Sequence, residues 1–94
     1  MYTVVRSYSG AGAKELFDSL EQKKGEVETL LRGVKGVTGY TLVRTADGGV
    51  SVTVCEDKAA ADESVGVAAG WVTTNSSSGA GAPRISEGET IVHF

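Results

Sequence analysis

VTGYTLVRTADGGVSVTVCED, Val37 to Asp57, holds two runs rich in β-branched and aromatic residues on either side of ADGG. Asp-Gly between such runs is the strongest short-range hairpin signal, because both residues tolerate the positive φ of a tight hairpin turn. The stretch therefore reads as two paired strands, Val37–Thr45 and Val50–Glu56. The second alternates cleanly, with Val50, Val52 and Val54 on one face and Ser51, Thr53 and Cys55 on the other. Branched apolar side chains gain most from burial, so the valine face is expected to meet the helices.

Upstream, the period changes. From Ala13 to Arg32, Phe17, Leu20, Val27 and Leu31 recur on one helical face, flanked by Leu16 and Leu30. Lys24 falls on the same stripe, where its aliphatic stem is expected to lie along the core edge. Gly25 is a weak point inside this helix, and Gly33 and Gly36 are expected to stop it. Before it, YTVVRSY (Tyr2–Tyr8) reads as a strand that ends at SGAG.

Downstream, Asp57 is suited to cap a helix, with Asp62 and Glu63 close to its positive end. Ala61, Val65, Ala68 and Val72 form a narrow stripe with Trp71 beside it. SSSGAGAPRISEG reads as a long loop and ETIVHF as a closing strand. The order is β-α-β-β-α-β. This is the ferredoxin-like split βαβ arrangement, an α+β fold in which an antiparallel sheet carries two helices on one face.

Ninety-four residues suit one domain, residues 1–94. A chain this short buries only about 60–65% of its unfolded surface. The net charge of −3 comes from interspersed signs, and no basic stripe is present to neutralise phosphates, so nucleic acid is an unexpected partner. The sequence shows neither a leader nor an apolar run long enough to span a membrane, and its single cysteine, Cys55, has no intrachain mate. A cytoplasmic location with no membrane association is the expectation. His, Cys and acidic residues do not cluster at ligand spacing, so neither a metal site nor a bound cofactor is expected. The glycine pairs lack phosphate-loop spacing and read as turns.

Two helices cover one face of such a sheet. The other is expected to hold Thr53 and Cys55 with several of Val5, Tyr8, Tyr40, Leu42, Ile91 and His93, a surface too apolar to stay in water. A homodimer packing two such faces together would hide it. With YTVVRSY, FDSLEQKKGEVETLLRGVKGVTGY, DGGVSVTVCED and AAGWV in this order, the chain resembles the dimeric α/β-barrel superfamily that includes antibiotic-biosynthesis monooxygenase-like domains. The resemblance implies a dimeric α+β barrel. It also implies a Trp on the second helix, matched by Trp71, an early-strand Asn and, for haem degraders, a helical His. The only Asn here is Asn75, at the end of the second helix, and the only His is His93, on the predicted last strand.

The candidate ligand pocket comprises Arg6, Tyr8, Tyr40, Thr53, Cys55, Trp71 and His93. Trp71 and Tyr40 are cast as walls, with Arg6 or His93 as polar handles. A lone Arg in a β-rich segment must find a carboxylate, a carbonyl or water; facing inward, Arg6 is suited to an anionic substrate. Cys55 lies just before a helix N-terminus, where the dipole can lower a thiol pKa, although a small buried residue is the simpler reading. The function expected is binding of a small organic or aromatic molecule in an interior cleft, in its enzymatic form a cofactor-independent monooxygenase-like activity. The alternative is a non-catalytic ligand-binding or stress-associated structural dimer.

Overall fold

The structure is a computed structural model that describes residues 1–75 and 81–94. In chain order its elements are β1 (Tyr2–Ser9), α1 (Ala13–Gln22), α2 (Lys24–Arg32), β2 (Val37–Thr45), β3 (Gly48–Cys55), α3 (Lys58–Asn75) and β4 (Arg84–Glu89). The hairpin forms within ADGG but one residue earlier than the Asp-Gly signal places it: Thr45 pairs with Gly48 across Ala46 and Asp47, and neither of these two has a positive φ. The four strands lie in the order β2-β3-β1-β4, every neighbouring pair antiparallel. All three helices pack on one face. This is the ferredoxin-like arrangement that the element order predicts.

The face that meets the helices is the opposite of the expected one. Val50, Val52 and Val54 belong to neither buried cluster beneath the helices. That side of the sheet carries Tyr2, Val4, Arg6 and Tyr8 from β1, registered against Cys55, Thr53, Ser51 and Gly49 from β3. Thr53, Cys55, Tyr8, Tyr40 and Leu42 therefore lie under the helices and not on the open face; of the predicted open-face set, Val5 is there. Bulk matching explains the choice. The helices bring Leu16, Phe17, Leu20 and Trp71, all buried, and small sheet residues leave room for them. A Cβ on Gly49 would collide with the Phe17 ring, and that ring instead meets Tyr8 edge-on, centroids 5.9 Å apart at 63°.

The predicted single helix is two. Lys23, at φ −112° and ψ 28°, separates α1 from α2, two residues before the glycine marked as the weak point. The break is gentle: the Lys23 N–H donates to the Ser19 carbonyl and its own carbonyl accepts from the Val27 N–H, each at 3.0 Å. Phe17, Leu20, Val27 and Leu31 are all buried as the stripe requires, whereas Lys24 is exposed. Only Gly36 of the two stop glycines uses left-handed backbone (φ 94°); Gly33 stays right-handed. Gly36 also has no room for a side chain, since its Cβ would lie 2.7 Å from that of Ala60. Asp57 caps α3 as expected, accepting from the Ala60 N–H at 2.9 Å. In the α3 stripe, Ala61 and Ala68 are buried with Ala60, Ser64 and Trp71, while Val65 and Val72 are half-buried.

The closing strand falls earlier than predicted. Arg84–Glu89, all but its last residue inside the segment read as a loop, pairs with β1 from Ser7 to Tyr2. Part of that segment, residues 76–80, lies outside the described residues. The ladder ends with the Thr90 N–H donating to the Met1 carbonyl. Beyond that point β1 supplies no partner, so Ile91, Val92, His93 and Phe94 stand exposed despite their strand-like composition. Among the described residues no helix is long and apolar enough to cross a membrane.

Candidate functional site

Arg6 sits mid-strand on β1 with its side chain turned under the helices, and it is only 6% exposed. It forms no ion pair among the described residues, and its Nε has no hydrogen-bond partner. Directly across the ladder is Ser51, 1% exposed, whose Oγ is likewise unpartnered. Buried polar atoms are nearly always satisfied, because an unmet donor loses its water without replacement. Two adjacent exceptions on facing strands mark this as the most unusual point in the interior.

Around this pair is a small cavity of about 20 Å³, walled by Tyr8, Phe17, Tyr40 and Trp71 with aliphatic side chains from α1 to α3. Beside it, between α2 and β2, a groove of about 410 Å³ opens to solvent. Val27, Leu31, Tyr40 and Leu42 line both spaces. A bulge between Val37 and Gly39 resets the alternation of β2, so Val37, registered with Cys55, and Tyr40, registered with Thr53, share the helix face. Burial raises the Tyr40 phenol pKa above its ordinary value, and the nearby Arg6 charge partly offsets this.

Trp71 is 7% exposed and its indole N–H donates to Glu26 Oε1 at 3.1 Å, tying α3 to α2. A second tie runs from Lys23 Nζ to Asn75 Oδ1 at 3.2 Å. The break at Lys23 and these two bonds, one part-buried and one exposed, mark α2 as the wall of the cavity suited to move.

Of the predicted pocket residues, Arg6, Tyr8, Tyr40 and Trp71 come together. Thr53 and Cys55 share their face but lie farther along β3, outside the cavity lining. Cys55 is fully buried in a separate cluster with Val4, Ala60 and Ala61. His93 is excluded, because it lies beyond β4 and exposed. Ser51 was absent from the prediction, although it belongs to the alternation set that supplied Thr53 and Cys55. The missing signal was its registration opposite Arg6.

Burial pushes the Cys55 thiol pKa up, contrary to the expected effect of the helix dipole. An aromatic disulfide reagent at neutral pH is therefore expected to label folded protein roughly ten times or more slowly than denatured protein. Equal rates would show the thiol to be accessible and ionised.

The described residues contain no group of three or more potential metal ligands. No protein-family model matches this chain, and no curated protein matches it in sequence. Solved structures do match it in shape. A monooxygenase from Streptomyces coelicolor, solved with the ligand nanaomycin D, is 21% identical at a TM-score of 0.68, over 99% of this chain and 88% of that one. The haem degrader MhuD from Mycobacterium tuberculosis, solved with two haems in its active site, is 19% identical at 0.68, over 100% and 99%. A dimeric ferredoxin-like protein from an uncultured marine organism is 12% identical at 0.63, over 99% and 94%. With its 2-3-1-4 antiparallel sheet and helices on one face, this chain has the ferredoxin-like α+β fold that these oxygenase, haem-degrading and dimeric structures share.

Proposed function

We propose that this chain forms a homodimeric α+β barrel and binds a small organic or aromatic molecule in the cleft between its helices and its sheet. The observation that carries the reading is the convergence of four aromatic side chains on an unpartnered buried Arg6–Ser51 pair. Ligand sites combine apolar walls with a few placed polar groups in this way. The enzymatic form of the proposal is a monooxygenase-like activity needing no bound cofactor, by analogy of fold with the Streptomyces enzyme.

Size qualifies how the ligand enters. The Arg6 cavity of about 20 Å³ is far below the ~300 Å³ typical of a ligand site, whereas the groove of about 410 Å³ beside it is large enough. In this reading α2 swings outward about Lys23 and joins the two spaces. The small closed volume favours a second reading, a non-catalytic structural dimer whose interior is filled by side chains.

The two readings part on ligand binding. A thermal-shift screen of aromatic compounds, followed by titration of the single Trp71 fluorescence, is expected to find a binder. At a hundredfold excess over Kd a binder adds about 2.7 kcal/mol, or several degrees for a domain of this size. A panel that moves neither the melting temperature nor the Trp71 emission would leave the filled barrel as the better account.

The proposed dimer rests on the open face. Val5 and Val52 are registered together, as are Val43 and Val50, and Thr3, Ser7, Thr41, Arg84 and Ser86 surround them. An apolar centre inside a polar rim is how protein interfaces are built.

A further inference from the structure

We infer that the ligand of this cleft is a small planar carboxylate whose acid group seats against Arg6 Nε and Ser51 Oγ. The inference rests on the cleft reading above and adds the charge and shape of the group bound there.

The chain contains twelve acidic residues, all among those described, and none neutralises Arg6. Arginines elsewhere behave differently: Arg44 holds Asp18 and Glu21 at the surface, and Arg32 holds Glu28. Arg84 also lacks an ion pair among the described residues but is exposed to water, so Arg6 is the buried arginine left without a counter-charge. Guanidinium stays protonated under any folding condition, so burial cannot be relieved by losing the proton. The site is therefore suited to an anion.

Its chemistry follows from the donors. Arg6 offers N–H groups and no acceptor, and the Ser51 hydroxyl, which also lies near the Tyr40 phenol, has one proton to give. The edge of a guanidinium that includes Nε matches the two oxygens of a carboxylate. The Trp71 N–H, committed to Glu26, does not compete. The space beside the pair, about 20 Å³, admits roughly one water-sized group. A carboxylate is larger than that, so it seats against the pair only once α2 has swung outward, as the cleft reading requires. Tyr8, Phe17 and Tyr40 supply flat apolar surface for the rest of the molecule, and their exclusion of water strengthens the charge interaction.

Benzoate and its neutral, nearly isosteric amide, benzamide, separate charge from shape. Titrated against Trp71 fluorescence, the wild-type protein is expected to bind benzoate at least tenfold more tightly than benzamide. R6M is expected to lose about tenfold to a hundredfold in benzoate affinity and less than threefold for benzamide; S51A should lose a smaller factor, again for benzoate alone. S51A also serves if R6M does not fold, since it removes one oxygen from an otherwise intact core. Equal binding of the two probes by the wild type overturns the carboxylate inference and leaves the cleft standing. Selective benzoate binding that survives both substitutions overturns it as well, by locating the anion elsewhere. Binding of neither probe by wild-type protein that does bind another, neutral aromatic compound overturns the inference alone; binding of no aromatic compound removes the cleft with it.

Discussion

W71A is expected to lower the unfolding free energy by about 3–5 kcal/mol, the usual cost of truncating a buried large aromatic to Ala. Trp71 is 7% exposed within the cluster that joins Tyr8, Leu16, Phe17, Leu20 and Val27, so truncation opens a void where α1, α2 and α3 converge on the sheet. The indole bond to Glu26 contributes little of this, because the Glu26 carboxylate is solvated. W71F should accordingly retain most of the stability, losing under about 1.5 kcal/mol. Urea denaturation of the three proteins, with unchanged m-values, is the measurement. A loss below about 1 kcal/mol for W71A would mean that Trp71 is a cleft wall and not part of the core.

V52K is expected to turn the proposed dimer into a folded monomer. Val52 lies at the middle of the open face, flanked by Val5 on one side and Thr41 on the other. In a face-to-face barrel its side chain meets the partner sheet, and an unpaired ammonium there costs several kcal/mol, roughly a thousandfold or more in dimer affinity. In a monomer the same lysine reaches water and the fold is kept. Light scattering should give twice the chain mass for wild-type protein at micromolar concentration and the chain mass for V52K, with the circular dichroism spectrum preserved. T41K, on the polar rim, is the control expected to leave the mass unchanged or nearly so. A wild-type protein that is already monomeric would remove the barrel from the proposal.

These two residues also show where reading the chain succeeds. Trp71 was expected to be a cleft wall, and it lines the cavity from α3. Val52 was assigned to an apolar face correctly and to the wrong side of the sheet. Alternation with period two separates two sets of side chains but carries no information about which set faces a helix. The preference for burying branched residues pointed to the valines, yet the sheet turns Gly49 to Phe17 and Cys55 to Ala60 and Ala61, with Ser51 and Thr53 buried between them. Complementarity between layers outweighed the hydrophobicity of one strand.

The candidate site divides in the same way. Arg6, Tyr8, Tyr40 and Trp71 were recognisable as chemistry-bearing residues, and they converge. Ser51 was hidden because a serine in a strand has no distinction until its cross-strand neighbour is known. His93 was misplaced because IVHF has strand composition, whereas pairing with β1 selected the less apolar RISEGE and ended at Thr90. A strand exists only where a partner edge is on offer, and the register of β1 decided where that was.

Local chemistry determined the hairpin at ADGG, the cap at Asp57, the helical stripe through Phe17, Leu20, Val27 and Leu31, and with them the order of elements. Each depends on residues a few positions apart, so the chain alone suffices. Tertiary packing decided which face of the sheet is covered, where α1 gives way to α2, which segment closes the sheet, and that Arg6 and Ser51 meet without partners. Those outcomes depend on how side chains distant in sequence fill a shared space, and no local pattern encodes that fit.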